Sequence, residues 1–311
     1  NLLIARKNVQ TIFGRMRDAS SPVHIITSFS NNFYALSLLP ALRRFPSAVF
    51  VHNIRDWVKI PGEYDPRKRN RIFLNQKILK RMQAVFFIEE YLKKNGGKWI
   101  QKTGFVFPFR INSLGDLQLR RKSILEKRVT TFVISGNVNK RSRDYSLVFS
   151  ALSSMNEPFR LVLLGGVSDF DVVEMGRRIL GEKLVTFGSY LPENEYEEHL
   201  INAHFLIGCV KEGVYGKWQG TGIEFDGPTF GIPTLVPKNA FPENQNGFFL
   251  RYDSDASLKN LIKKGISSVE NGTYETDFLN PGIRHAEFFL EEKWREKILS
   301  QIAEVNIIFR N

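Results

Sequence analysis

The sequence predicts an α/β protein built from two doubly wound parallel sheets. Three observations predict it. Short apolar runs alternate with longer stretches whose apolar residues recur at helical spacing. The runs are nearly continuous rather than alternating, as expected of strands covered on both faces. The alternation lapses over residues 111–129, which are polar and basic, and then restarts. The organisation read from this is a first domain over 1–110, a join over 111–129, a second domain over 130–280, and a C-terminal helix over 281–311 that crosses back to the first domain.

In order, residues 1–18 read as a helix and Val23–Thr27 as a strand. Ala35–Arg44 is a helix with Leu36, Leu39 and Leu42 on one face, and Ala48–His52 the next strand. Arg69–Met82 is a basic amphipathic helix before the strand Ala84–Ile88. Glu90–Asn95 is a short helix that Gly96-Gly97 should stop, and Phe105–Phe107 is a strand ended by Pro108. In the second domain Thr130–Ser135, Phe159–Leu164, Val185–Phe187, Phe205–Val210 and Thr234–Val236 read as strands. Asp144–Met155, Phe170–Leu180, Glu193–Ala203 and Gly222–Phe230 read as the helices between them, and Ser257–Glu270 and Arg284–Ile308 as the closing helices. Pro228 should keep its helix short or bent.

Composition narrows the function classes. With 42% hydrophobic and 13% aromatic residues in 311, the chain can bury two ordinary cores and is not a disordered sequence. A single cysteine, Cys209, excludes an intrachain disulfide and a Cys-based zinc cluster. No apolar run approaches the roughly 20 residues that span a bilayer. Residues 1–128 carry 25 Lys and Arg against 8 Asp and Glu, while the remainder is slightly acidic. A basic first half suggests an anionic partner: a membrane surface, a phosphorylated substrate or nucleic acid. The alternative is a solvated basic face with no partner.

Two stretches could carry chemistry. After the strand 130–135 come Gly136-Asn137, then Lys140, Arg141 and Arg143 shortly before a helix. A glycine lets backbone approach a ligand, and cations with a helix N-terminus suit a diphosphate. The loop is equally readable as a polar connection with solvated arginines. The second stretch, 212–233, is Gly-rich and opens a helix near Thr221-Gly222, whose first amides could hold phosphate. Asp226, one turn further in, could accept hydrogen bonds from both hydroxyls of a ribose, or be a surface carboxylate.

These features in order resemble the nucleotide-sugar domain of GT-B glycosyltransferases, most closely glycosyltransferase family 4. The first is the strand with Gly136-Asn137, Lys140, Arg141 and Arg143. The second is Leu161–Leu164 with Gly165-Gly166. The third runs from Phe187-Gly188 through Tyr190-Leu191-Pro192-Glu193 to Ala203-His204, and the fourth is Glu212-Gly213 with Asp226 and Gly231-Ile232-Pro233. The family usually carries two glutamates eight positions apart in the last motif. Here Trp218 stands eight before Asp226 and Glu212 fourteen before it, so Lys217-Trp218-Gln219 is an insertion or the mark of a divergent subfamily. The family's Lys-Gly after the first loop is Arg143-Asp144 here.

The resemblance implies a GT-B-like fold of two Rossmann-like domains facing a cleft. The first domain would lack its first strand or strands, because 1–18 reads as a helix. It implies a retaining, metal-independent hexosyltransferase that moves a sugar from a nucleotide-diphosphate donor to a glycan or lipid-linked acceptor in polysaccharide or glycoconjugate synthesis. Gly136 and Asn137 would face the diphosphate and sugar, and Lys140, Arg141 and Arg143 would neutralise phosphate. Thr221 and Gly222 would present amides, Tyr190 and Leu191 would lie near the base, and Asp226 would hold the ribose. His52 and Asn53, after the strand Val49–Val51, would face the acceptor, with His52 the one catalytic candidate; a locally bonded His52 is the alternative. No bound cofactor, metal or nucleic acid is expected. The location implied is cytoplasmic, with the basic stretch Arg67–Arg81 and its Ile72, Phe73 and Leu74 meeting the inner face of the membrane. The rival readings are a GT-B nucleotide-sugar epimerase or silent relative, and a two-domain small-molecule binding protein. A Rossmann oxidoreductase is disfavoured because no G-x-G-x-x-G joins a strand to a helix.

Overall fold

The computed structural model describes residues 24–26, 46–63, 65–108, 110–211, 213, 215–241 and 248–310. The helices expected over 1–18 and 35–44, the ends of the strand expected over 23–27, and Glu212 lie outside them. The chain forms two compact units. One gathers the chain to Pro108 with Lys217–Gly220 and the segment from Arg295, and the other holds Phe109–Gly216 and Thr221–Trp294.

Among the described residues the first unit holds a four-stranded parallel sheet in chain order: β1 (His24–Ile26), β2 (Ser47–Val51), β3 (Ala84–Phe87) and β4 (Thr103–Val106). Helices α1 (Arg69–Leu79) and α2 (Glu90–Ile100) make the crossovers after β2 and β3. On one sheet face Ala48, Ala84, Phe86 and Phe105 pack against Val305, with Phe50 stacked on Phe86 at 5.3 Å between ring centroids. Apolar side chains on successive strands thus fill both faces, the condition that makes the strands read as continuous runs.

Gly96-Gly97 does not stop α2. The helix runs on to Ile100 and closes at Gln101, whose φ of 52° is left-handed and whose N–H donates to the Gly97 carbonyl. A Cβ on Gly96 would sit 2.5 Å from Ile54 Cδ1 and 3.3 Å from the Phe87 ring. The glycine is there for close approach of helix and sheet. That packing offsets the ~1 kcal/mol a mid-helix glycine costs.

The second unit is a six-stranded parallel sheet of order β10-β9-β8-β5-β6-β7. Its strands are β5 (Thr130–Ser135), β6 (Phe159–Leu164), β7 (Leu184–Thr186), β8 (Phe205–Ile207), β9 (Thr234–Pro237) and β10 (Phe249–Tyr252). Helix α3 (Leu114–Leu125) precedes β5. Between the strands lie α4 (Tyr145–Ser153), α5 (Phe170–Leu180), α6 (Glu193–Ile201) and α7 (Ile223–Phe230), followed by α8 (Asp255–Glu270). Side chains such as Phe132, Leu161 and Phe205 pack with α4, α5 and α8, whereas Val133, Val162 and Leu206 pack with Leu200 and Ile223. The chain proceeds outward from β5 through β6 to β7, then returns to place β8 on the other side of β5. That reversal opens a crevice at the carboxyl ends of β5 and β8, where ligands of doubly wound sheets bind.

Residues 111–129 are not a join. They hold α3, opened by a capping box in which Ser113 and Asp116 satisfy each other's amides. Its inward positions are Leu117, Arg120 and Ile124. The arginine hid the apolar stripe. Arg120 is wholly buried, and its Nη1 donates to the carbonyls of Ile201 at 2.9 Å and Ala203 at 2.7 Å, and at 3.4 Å to Leu200. These are C-terminal carbonyls of α6 and its turn, which a helix cannot satisfy itself. Nη2 reaches the Tyr274 hydroxyl, which donates to the His204 carbonyl at 2.7 Å. His204 in turn accepts from the Thr131 amide through Nδ1, and burial drops its pKa to about 3, so it is a neutral structural imidazole.

The helix expected over 284–308 is also divided. Helix α9 (Asn280–Ala286) ends in a short turn, Leu290 is extended with ψ 133°, and α10 runs Glu291–Arg310. Asn112 pairs there, donating its amide to the Phe289 carbonyl and accepting from the Glu291 amide. Strand β10 was missed in sequence because its run carries Arg251 and is only partly buried at the sheet edge. Among the described residues no helix is long and apolar enough to cross a membrane.

Arg120→Leu should cost about 3 kcal/mol of unfolding free energy, because it strands buried carbonyls at the end of α6. Urea denaturation followed by circular dichroism measures it.

Candidate functional site

The carboxyl ends of β5, β6 and β8 bring one set of groups together. Gly136 leaves β5 with φ 88°, and Gly165 leaves β6 with φ 157°. A Cβ on Gly165 would meet the Gly136 carbonyl oxygen at 2.5 Å. The two loops are therefore interlocked, and only glycine fits both the dihedrals and the contact. Two bonds hold them: the Gly136 amide to the Leu164 carbonyl, and the Val138 amide to the Gly166 carbonyl, each 2.8 Å. Asn137 exchanges side-chain hydrogen bonds with Ser168 of the β6 loop.

Arg143 lies beneath this loop with only 7% of its surface exposed. Its Nη2 is 2.8 Å from where a Gly136 Cβ would stand. Backbone pairing with Val210, after β8, fixes its position. Tyr145 and Cys209 surround it, and among the described residues it forms no ion pair with a carboxylate. Burial pushes the Tyr145 hydroxyl up to about 12 and the Cys209 thiol to about 11, so both stay neutral at physiological pH. Burying a guanidinium is costly, and an anion bound at the crevice would add to the hold of Tyr145 and the more distant Asp226 carboxylate on it.

Arg143 also lines a cavity of about 300 Å³ with Lys140, Asp144, Tyr145, Asp171, Met175 and Lys211. Lys140 is not turned to the crevice. Its Nζ pairs with Asp171 at 2.5 Å, its amide donates to Asp169, and both partners of the pair are exposed. Such a pair is weakly held in water, and a bound anion can displace the carboxylate. Arg141 is exposed. Lys211, which sequence reasoning passed over, donates from Nζ to the Lys140 carbonyl at 2.8 Å.

Tyr190, in the turn after β7, is 72% exposed and lays its ring on Gly166. Leu191 is half-buried beneath and packs into the core. The aromatic face and the Gly136 loop are thereby neighbours through Gly166.

Two expected contacts are altered. Thr221 does not offer a free amide: it donates to Glu224 Oε2 at 2.6 Å, the reach-back half of a capping box that the T-x-x-E spacing signals. Gly222 follows it as the residue preceding α7. Asp226 is not on an open face either. It is 4% exposed, accepts from the Tyr196 hydroxyl at 2.7 Å, and stands 3.6 Å from Arg110 Nε. Arg110 is also paired with Glu197, and its guanidinium lies over the Tyr196 and Phe230 rings. Burial raises the Asp226 pKa, against the opposing pull of Arg110, Ser135, Tyr196 and Arg143. Ser135 Oγ, at the end of β5, stands beside both Asp226 and the Tyr196 hydroxyl. Arg110 fell in the stretch read as the end of the first domain, so no motif pointed to it.

His52 and Asn53 belong to the first unit. His52 is exposed at the carboxyl end of β2; crowding lowers its pKa, with Asp56 opposing and Arg71 adding to the shift. Its carbonyl accepts from the Gly220 amide at 2.9 Å. Asn53 is buried: its Nδ2 donates to Gln219 Oε1 at 3.1 Å and its Oδ1 caps the turn Ile54–Asp56. The Ile54 amide donates to the Trp218 carbonyl, and Tyr91 and Asn95 hold the carbonyls of Gln219 and Lys217. The segment Lys217–Gly220, which carries Trp218, is thus a strap belonging to the first unit.

No family model matches the sequence, and no curated protein matches it. The fold does match solved structures along nearly all of the chain. A sucrose-phosphate synthase from Thermosynechococcus elongatus superposes with a TM-score of 0.63 at 13% identity, over 99% of this chain and 79% of that one. Anabaena HepE in complex with UDP and glucose gives 0.62 at 12%, over 95% and 81%. An α,α-trehalose-phosphate synthase (UDP-forming) from Burkholderia vietnamiensis gives 0.59 at 10%, over 98% and 76%. The chain has the GT-B-like fold.

Tyr196→Phe should destabilise the protein by about 1–2 kcal/mol above the raised Asp226 pKa, where the carboxylate is charged and loses a donor. The loss should shrink as pH falls through that pKa, because the protonated acid needs the donor less. Urea titrations across a series of pH values test both parts.

Proposed function

We propose that the protein is a glycosyltransferase that uses a nucleoside-diphosphate sugar. The observation that carries this is the buried Arg143 guanidinium, without an ion pair among the described residues, set against Gly136 at the switch point of the second sheet. A diphosphate placed there would meet Arg143 and Arg141, beside a Gly136 loop whose amides at Gly136 and Val138 are held by the β6 loop. The charge that develops on the departing diphosphate would be stabilised by these fixed cations, and the proposal needs no metal. The exposed Tyr190 ring offers a stacking face for the nucleobase, with Gly166 keeping it within reach of the same loop. Ser135 and the Asp226–Tyr196 pair supply acceptors for ribose hydroxyls at the edge of the crevice.

The neighbours named above include a protein in complex with UDP and glucose, which supports a UDP-hexose as the first donor to try. The likeness to family 4 supports a retaining transfer to a glycan or lipid-linked acceptor. On the acceptor side His52, exposed at the carboxyl end of β2, is the proposed polar group.

A donor-binding relative without transferase activity is the second reading. Trp218 and the internally engaged Thr221 and Asp226 favour it. The two readings separate on product: both bind nucleotide, and only the first releases UDP in the presence of an acceptor.

Calorimetry with UDP, GDP and ADP should show binding of one of them. Tyr190→Ala should weaken that nucleotide about 5- to 100-fold and leave inorganic pyrophosphate unchanged, since stacking is worth about 1–3 kcal/mol per base. Arg143→Gln should weaken nucleotide and pyrophosphate alike, by about 30-fold or more. Full affinity in Arg143→Gln would remove the phosphate assignment.

A further inference from the structure

Arg110 lies along α7 without belonging to it. Its carbonyl accepts from the Thr229 hydroxyl at 3.4 Å, and its guanidinium lies 5.8 Å from the Phe230 ring centroid. The next residue but one, Asn112, donates its side-chain amide to the Thr229 carbonyl. The segment before α3 is thereby fixed to the last turn of α7, one turn beyond Asp226. From there the arginine reaches back to the Asp226 carboxylate, with Nε 3.6 Å from Oδ1.

Helix α6 closes the arrangement with two adjacent residues. Tyr196 donates its hydroxyl to Asp226 Oδ2 at 2.7 Å and sets its ring against the same guanidinium. Glu197 pairs with Arg110 Nη1, and Glu193, one turn earlier, stands 3.8 Å from Nη2. Arg110 therefore divides its charge between one buried carboxylate and two that reach solvent.

This division has a chemical consequence. An ionised carboxylate offers about four acceptor sites, and Tyr196 takes one. Arg110 Nε makes no hydrogen bond, so the arginine answers the charge of Asp226 without using up its acceptors. A protonated Asp226 would turn one oxygen into a donor and lose part of that capacity. Burial favours the protonated acid. Against it stand Arg110 from the segment before α3, Ser135 from β5, Tyr196 from α6 and Arg143 from the loop after β5, with Arg110 the largest opposing influence. An arginine keeps its charge throughout the range in which a carboxylate titrates, so Arg110 acts as a fixed charge.

We propose that Arg110 is the positioning residue of ribose recognition: it holds Asp226 as an ionised acceptor for the sugar hydroxyls, and Glu197 sets how much of its charge Asp226 receives. The proposal rests on the reading of the crevice as a nucleotide site, and it applies to a transferase and to a silent relative alike.

Calorimetry of the whole protein with UDP, GDP and ADP, each against its 2′-deoxy counterpart over a series of pH values, tests it. The ratio of the two affinities cancels the titration of the phosphates, which both ligands share. Wild-type protein should prefer one ribonucleotide about tenfold or more while Asp226 is charged, and lose most of that preference as pH falls and Asp226 takes up a proton. Arg110→Gln should move the midpoint of this fall up by about one pH unit or more, and Arg110→Lys should bring it most of the way back. Glu197→Gln should move it down, because Asp226 then has more of the guanidinium to itself; this side chain is 39% exposed, so the substitution leaves the core intact. Pyrophosphate affinity should be unchanged in all three. Equal losses of both nucleotide forms at every pH in Arg110→Gln, with the midpoint unmoved in Glu197→Gln, would overturn the proposal. A wild-type ratio near one at every pH would also overturn it, with nucleotide binding left in place. Wild-type protein that binds pyrophosphate as tightly as every nucleoside diphosphate would take down the nucleotide reading itself, and the proposal with it.

Discussion

The contact between the Gly136 carbonyl and the Cα of Gly165 determines most of what the second unit can do. Two loops that leave adjacent strands ordinarily diverge, because side chains hold them apart. Here neither residue has one, and the loops are drawn together by paired backbone bonds. The space left under Gly136 admits a guanidinium, and Gly166 admits an aromatic ring. Arg143 and Tyr190 come from distant parts of the sequence, and this one close approach brings both to the same few ångströms of crevice. Rigid placement matters because an anion site already arranged before binding loses little freedom when it fills.

Around that contact several polar groups are held internally. Glu224 takes the Thr221 amide, Tyr196 and Arg110 hold Asp226, and Arg120 closes α6. Arg143 stands apart: among the described residues it is a buried charge with no ion pair, a functional signal of the kind that desolvated groups give at binding sites.

The pattern of apolar runs made the fold legible because parallel strands buried on both faces have little freedom in composition. Thr130–Ser135, Phe159–Leu164 and Phe170–Leu180 end where the sequence places them. Legibility failed where a residue served a role other than the usual one for its type. Arg120 occupies a core position, so α3 looked like a polar join. Gly96 serves packing, so α2 looked shorter than it is. Within the site, Gly136 and Arg143 were visible as a local motif, whereas Arg110, Tyr196 and Ser135 reach Asp226 only through the tertiary fold. The strap Lys217–Gly220 was visible as a departure from the family spacing, but its partners His52, Asn53, Tyr91 and Asn95 lie more than a hundred residues away in sequence.

The only thiol of the chain is enclosed beside Arg143 and Tyr145, with its ionisation pushed to about 11. A thiol so placed is slow to form the thiolate that alkylating reagents require. The native chain is therefore a silent background for labelling. One cysteine introduced at an exposed position, such as that of Phe73, would carry a fluorophore or spin label alone, and its signal could be read without first removing Cys209 from the core.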